Sequence, residues 1–174
     1  MEKGYVHVYT GNGKGKTTAS LGLCLRAAGA GFKVYLGQFM KGMETSEIKA
    51  IKTLLPNVCV EQFGQGCKCC CDGVFSEEYI AKTKDGYQKA LAAMKSGQYD
   101  VVILDEINVA AHYNLISVSD VLTLIDQKPE KAELILTGRD AAAEVIERAG
   151  LVTEMKEIKH YFNDGVVARV GIEK

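Results

Sequence analysis

Between Tyr9 and Thr18 the chain reads YTGNGKGKTT, three glycines and two lysines in ten residues, at the end of the apolar run GYVHVY. Glycines let a backbone curl until several N–H groups point inward, which makes a concave anion site at the start of a helix. Lys16 supplies a point charge for a polyphosphate, and the hydroxyl of Thr17 is the type of ligand a Mg²⁺ takes alongside phosphate oxygens. The usual pattern has Gly where Thr10 stands, so the match to the strict spacing is incomplete. A second acid–metal element follows much later. The apolar run VVILDE ends in Asp105 and Glu106, either able to hold a metal directly or through water. Together the two stretches imply a site for a nucleoside triphosphate with magnesium or manganese.

These residues have to be placed by strands that end near one another. Apolar runs at 4–9, 33–39, 58–63, 99–106, 132–138 and 151–158 read as six strands. Between them lie helical stretches: an apolar, buried helix at 16–28, a short one ending before Pro56, and a long one starting at the Ser76 N-cap. A capping-box start at Ser117 and Asp120 and a short helix over 140–150 complete the set. Ile80, Thr83, Tyr87, Leu91 and Met94 mark the inner face of the long helix. Such alternation predicts an α/β fold of one domain over residues 1–174, with a mainly parallel sheet of about six strands covered by helices on both sides. Cys24 and Cys59 read as small core residues.

With 174 residues the chain can bury a substantial core, and its formal net charge of −1 recommends neither a nucleic-acid surface nor an anionic membrane. No run approaches the ~20 apolar residues of a membrane span, and residues 1–11 lack a signal-peptide core. A cytoplasmic protein is the expectation. Four of the six cysteines, Cys67, Cys69, Cys70 and Cys71, crowd into five positions. In a reducing compartment free thiols are the default, and adjacent side chains diverge too far to wrap one tetrahedral ion unless two subunits share it.

The segments YTGNGKGKTTASLGLCLRAAGAG, VYLGQFMKG, VVILDEINVAAHYNLISVSDVL, ELILTGRDA and LVTEMKEIKHYFNDGVVARVGIE, in that order and without large gaps, resemble the P-loop family of ATP:corrinoid adenosyltransferases, of the cob(I)alamin or cob(I)yrinic acid a,c-diamide type. The resemblance implies a RecA-like P-loop NTPase fold, usually homodimeric. It also implies that ATP gives its 5′-deoxyadenosyl group to a corrinoid reduced to Co(I), with a reductase or flavodoxin-like protein as electron donor. By the same resemblance, a cradle opening at Thr10 and Gly11 makes phosphate contacts through Asn12, Gly13, Lys14, Gly15, Lys16, Thr17 and Thr18. The metal falls to Thr17 and Glu106, with Asp105 beside them, while Arg26, Gln38, Lys41 and Arg139 look like further site residues. Of the histidines, His7 reads as structural, His112 as a surface-turn residue, and His160 matches the family tail near the corrinoid opening.

In one place the pattern breaks. Many family members carry an aromatic segment after residues like FGQG, whose rings displace the lower cobalt ligand; here the stretch is GQGCKCCCDGVF, with Phe75 the nearest aromatic. Two other readings remain open from sequence. One is a P-loop ATPase or phosphotransferase, giving ADP or phosphate; the other is a non-catalytic ATP-binding regulator with a metal at its cysteines.

Overall fold

The expected strands all form, and they all run the same way. A computed structural model describes residues 2–64 and 73–174, so the cysteine cluster Cys67–Cys71 lies outside the described residues. The strands are β1 (Val6–Thr10), β2 (Val34–Phe39), β3 (Val58–Phe63), β4 (Val101–Asp105), β5 (Glu133–Thr137) and β6 (Leu151–Glu154). They pair in parallel in the order β3-β2-β4-β5-β1-β6. Between them run α1 (Lys16–Gly29), α2 (Ser46–Leu54), α3 (Glu77–Lys95), α4 (Ile107–His112), α5 (Val118–Asp126) and α6 (Ala143–Arg148), and a short 3-10 turn spans Tyr161–Asp164.

Parallel strands need helical crossovers, and these cover both faces of the sheet. The period-2 alternation splits the core accordingly. Val34, Leu36, Val101, Ile103 and Ile135 pack against Cys24 and Ala27 of α1 and Ile48 and Ile51 of α2. Their neighbours Tyr35, Phe39, Val102, Leu104, Leu134 and Leu136 pack against α3, α4, α5 and α6 on the other face. The central strands are therefore apolar on both sides, which is why β4 reads as a continuous apolar run. The Ser76 cap forms, accepting the Tyr79 N–H at 3.2 Å, and so does the Ser117/Asp120 capping box.

Four details depart from the sequence reading. Helix α1 is not buried all round: Leu25 is 60% exposed, because this side of the helix walls a cleft instead of the core. Cys59 is exposed, since β3 is an edge strand. The inner face of α3 is rotated toward Tyr79, Thr83, Gly86, Tyr87, Ala90 and Met94, leaving Ile80 and Leu91 only partly buried. Strand β6 stops at Glu154 rather than 158, for a local reason. The Met155 N–H still donates to Thr10 O (2.8 Å), but its carbonyl accepts from Gly13 N (2.7 Å), so the chain follows the glycine loop instead of continuing the ladder.

Candidate functional site

In a parallel sheet the loops leaving the carboxyl ends of the strands share one edge, and ligands gather there. That edge carries the glycine loop after β1, Lys41 after β2, Glu106 after β4 and Arg139 after β5. Three non-glycine residues there, Met40, Glu106 and Asp140, have left-handed backbones with φ of 58°, 61° and 54°. Each such conformation costs on the order of 1 kcal/mol, and the concentration of strain marks this edge as the part of the fold shaped for something other than stability.

The loop needs its glycines. Gly11 and Gly15 have φ of 91° and 125°, and a Cβ on Gly11 would sit 2.5 Å from Met155 O. A Cβ on Gly13 would lie 2.8 Å from the Lys156 carbonyl. The loop thus lies flat against residues 155–156 and presents its other side to solvent. Lys16, Thr17 and Thr18 form the first turn of α1, where backbone N–H groups lack helical acceptors. No acid sits in that turn to fill the anion position. The Lys16 ammonium is turned back into the loop, donating to Gly11 O (2.6 Å) and Gly13 O (2.8 Å). Burial pushes its pKa down, and the Arg139 guanidinium adds to this, against the opposing pull of Glu106, Asp105 and Asp140. A cation held only by two carbonyls is poised to turn toward a better anion.

Beneath the loop, Asp105 is fully buried and accepts from four side chains. Thr17 Oγ1 (3.0 Å) and Thr137 Oγ1 (2.7 Å) donate to its Oδ1; Gln38 Nε2 (3.1 Å) and Lys41 Nζ (2.8 Å) donate to its Oδ2. Gln38 in turn accepts from Gln62 Nε2 at 3.0 Å. Glu106 turns away from this network: its N–H donates to Thr137 Oγ1 (3.0 Å) and its side chain lines the open cleft. Burial and then the neighbouring Asp105 raise the Glu106 carboxyl's pKa, only partly offset by Lys41, Lys16 and Arg139. Burial alone would lower the Lys41 pKa, but the charge and hydrogen bond of Asp105 outweigh it and the net shift is upward.

Above the loop passes the C-terminal tail. Lys14 Nζ donates to Glu173 Oε1 (2.7 Å) and to the Tyr161 hydroxyl (2.8 Å). Tyr161 donates its own proton to Glu173, and Arg169 Nη2 adds a 3.0 Å bond. The last carbonyl, of Lys174, accepts from Ser46 Oγ at the start of α2 (3.1 Å). Loop, tail and α2 together enclose a cleft of about 650 Å³.

Ten of the residues singled out from sequence line this cleft: Asn12, Gly13, Lys14, Gly15, Lys16, Thr17, Thr18, Lys41, Glu106 and Arg139. Thr10, Gly11, Gln38 and Asp105 stand behind it as supports, with Thr10 Oγ1 accepting from Ala141 N (3.4 Å) and the others bonded as described. The Gly13 N–H is already used by Met155 O, so Gly13 contributes shape more than a donor. Arg26 is not in the cleft. It lies exposed on the last turn of α1, about 100° around the helix from Leu25, while Leu21, Gly22 and Leu25 form the cleft wall. His160 does line the cleft, its Nδ1 accepting the Phe162 N–H at 3.0 Å. His7 is bonded to Glu133 (2.6 Å) at the other end of the sheet. His112 ends helix α4 instead of lying on a surface turn. Sequence reasoning missed Glu47, Gly171, Ile172, Glu173 and Lys174 as cleft residues; the only signal for Gly171, Ile172 and Glu173 was their place in the family-like tail.

A metal ion fits this donor set on chemical grounds. Thr17, Asp105 and Glu106 offer hard oxygens, the ligands Mg²⁺ prefers, and the Lys41 ammonium already stands as a cation between Thr17 Oγ1 (3.2 Å) and Asp105. Among the described residues no group of three or more His, Cys, Asp or Glu could hold a metal by itself, so phosphate oxygens would have to complete the shell. Phe75 does not stand free as an aromatic platform: it packs on Tyr79 and Tyr113, with ring centroids 5.1 and 5.4 Å away. Among the described residues no helix is long and apolar enough to cross a membrane.

Residues 2–173 match the model of a family described as ATP:corrinoid adenosyltransferase BtuR/CobO/CobP. A corrinoid adenosyltransferase of a Sinorhizobium species is 37% identical over 183 residues, covering 99% of this chain and 81% of that protein. One from Escherichia coli K12 is 33% identical, with 99% and 86% covered. Corrinoid adenosyltransferase CobA of Salmonella typhimurium is 31% identical, again with 99% and 86% covered.

Proposed function

The chain belongs to the ATP:corrinoid adenosyltransferase family, and from that premise we propose that it transfers the 5′-deoxyadenosyl group of ATP to the cobalt of a reduced corrinoid, releasing triphosphate in adenosylcobalamin synthesis or salvage. The observation that carries the reading is the convergence of first-turn N–H groups, Lys14, Lys16 and Arg139 on one open cleft with no acid in the first turn. That arrangement suits an anion that must be held and allowed to leave.

The reaction displaces one nucleophile by another at carbon. The electron pair of Co(I) forms the Co–C5′ bond, the C5′–O bond breaks, and triphosphate departs with that bond's electrons. Co(I) carries no proton, so no general base is required of the protein. Its residues have two tasks: to hold C5′ in line with cobalt, and to stabilise the charge gathering on the leaving chain. The glycine loop and the start of α1 hold the triphosphate; Lys16 leaves its two carbonyls to pair with it; Arg139 and Lys14 reach it from either side. Thr17, Asp105 and Glu106 would hold a Mg²⁺; when bound, the ion neutralises triphosphate charge. A homodimer, a flavodoxin-like electron donor and a cob(I)yrinic acid a,c-diamide substrate belong to the same proposal, supported by the family likeness.

The test is to mix the protein with ATP, Mg²⁺ and chemically reduced cobalamin, and to follow the conversion of Co(I) to a light-sensitive alkylcobalt together with triphosphate. Both products are expected. Hydrolysis to ADP or phosphate without alkylation would overturn the reading.

A further inference from the structure

The position that a divalent ion would take beside Thr17 and Asp105 is filled by an ammonium. Lys41 Nζ lies 3.2 Å from Thr17 Oγ1 and 2.8 Å from Asp105 Oδ2, and those two side chains are themselves bonded at 3.0 Å. An ammonium at that distance and a metal bound to the same oxygens exclude each other. The arrangement also has an electrostatic cause. Asp105 has no exposed surface, and a buried carboxylate left without a counter-charge is strongly destabilising. Its other three partners, Thr17, Thr137 and Gln38, are neutral donors. Lys41 is the cation that completes the balance, and its side chain remains 27% exposed on the cleft side.

We propose that Lys41 is a tethered cation that keeps the metal position closed until nucleotide arrives, so that the divalent ion enters with the polyphosphate and not before it. The proposal rests on the function proposed above, with the metal held by Thr17 and Asp105 and with Glu106 beside them. Two features give the order its direction. A bare ion would have to displace the ammonium while gaining only Thr17, Asp105 and Glu106, half of the six oxygens that Mg²⁺ takes. A nucleotide changes both terms. Its phosphates supply the missing oxygens, and they offer the displaced ammonium a new partner within the cleft that Lys41 already lines. A buried carboxylate keeps a counter-ion throughout: Lys41 before, the metal after.

The experiment titrates Mn²⁺ into the nucleotide-free full chain and reads free Mn²⁺ by electron paramagnetic resonance, for the parent, Lys41→Met and Lys41→Arg. Lys41→Met is expected to bind Mn²⁺ at least ~10-fold more tightly than the parent, about the free energy of one displaced charge contact, while Lys41→Arg stays at the parent affinity. Lys41→Gln, which keeps a neutral donor for Asp105, serves if Lys41→Met does not fold, and the same tightening is expected of it. Equal Mn²⁺ affinity in parent and neutral variants overturns the proposal. So does a nucleotide-free parent that binds Mn²⁺ as tightly as it does with ATP present. Adenosyl transfer by the parent is scored separately. A parent that alkylates corrinoid while its neutral variants fail to gain Mn²⁺ affinity loses only the tethered-cation role, whereas a parent that never alkylates loses the proposed function.

Discussion

The cleft has a floor and a rim, each built around one carboxylate with lysine among its partners, and the two are built to different tolerances. On the floor, Asp105 is fully buried and its donors come from β2, β5, α1 and the loop after β2. At the rim, Glu173 is 17% exposed by its side chain, and its partners Lys14 and Arg169 are 39% and 50% exposed. Water can replace a partner at the rim; on the floor, where Asp105 has no exposed surface, it cannot. The floor therefore fixes where Thr17 and Glu106 stand, while the rim is tied across the loop by contacts that water can reach. The same formal charge pair serves as a rivet in one place and as a latch in the other.

The strongest way to break this contrast is at the floor. Asp105→Asn removes the charge that four donors converge on and leaves Lys41 without its counter-ion. A broken buried pair costs about 3–5 kcal/mol, which for a domain of this size lowers Tm by roughly 10 °C. Calorimetry on the nucleotide-free protein measures it. A fall below ~1 kcal/mol, the range of an exposed pair, would mean that the floor is as replaceable as the rim.

Lys16→Ala comes next, and its effect falls on ligand rather than fold. Lys16 is satisfied by only two carbonyls, so the fold has little charge pairing to lose. A charge-assisted contact to the triphosphate is worth about 1.5–3 kcal/mol, or roughly 10–150-fold in ATP affinity. Equilibrium binding with a slowly reacting ATP analogue reads the loss directly. An unchanged affinity would remove Lys16 from the triphosphate site.

The floor was far more legible in the sequence than the rim. A glycine loop after one apolar run and an Asp-Glu pair ending another are local signals, and a parallel sheet brings such strand ends together by necessity. Gln38 and Lys41 entered only through the family likeness, because nothing local says that the loop after β2 reaches Asp105. At the rim only Lys14 and His160 carry expected roles, both from the family likeness. Glu173 and Lys14 are separated by 159 residues, and a tail with no helical or strand period gives no direction in which to aim its side chains. Arg26, expected from the family likeness, is a different case. A cation near a phosphate loop in sequence lands outside the cleft because one residue along a helix turns the side chain by about 100°. Cys59 was misplaced for a topological reason: an apolar strand reads the same whether it lies inside a sheet or at its edge.

The smallest expected effect lies at the rim, and pH separates it from the floor. Arg169, Lys14 and Tyr161, in that order, hold the Glu173 carboxyl far below the usual glutamate range. A carboxylate whose folded pKa is depressed contributes stability that is present above the unfolded pKa and lost as pH falls through the folded one. The tail contact should thus survive through the window where an ordinary glutamate protonates, and release only at more acid pH. Carboxyl carbon NMR of Glu173 follows its ionisation, and limited proteolysis of the tail follows its release. Glu173→Gln should free the tail at neutral pH with no measurable change in Tm, since exposed pairs are screened by water. It should also change ATP affinity by no more than about threefold, because Lys14 loses a competing acid just as the cleft loses a wall. A Tm drop comparable to that of Asp105→Asn would show that the tail is riveted too, and that floor and rim are a single structure.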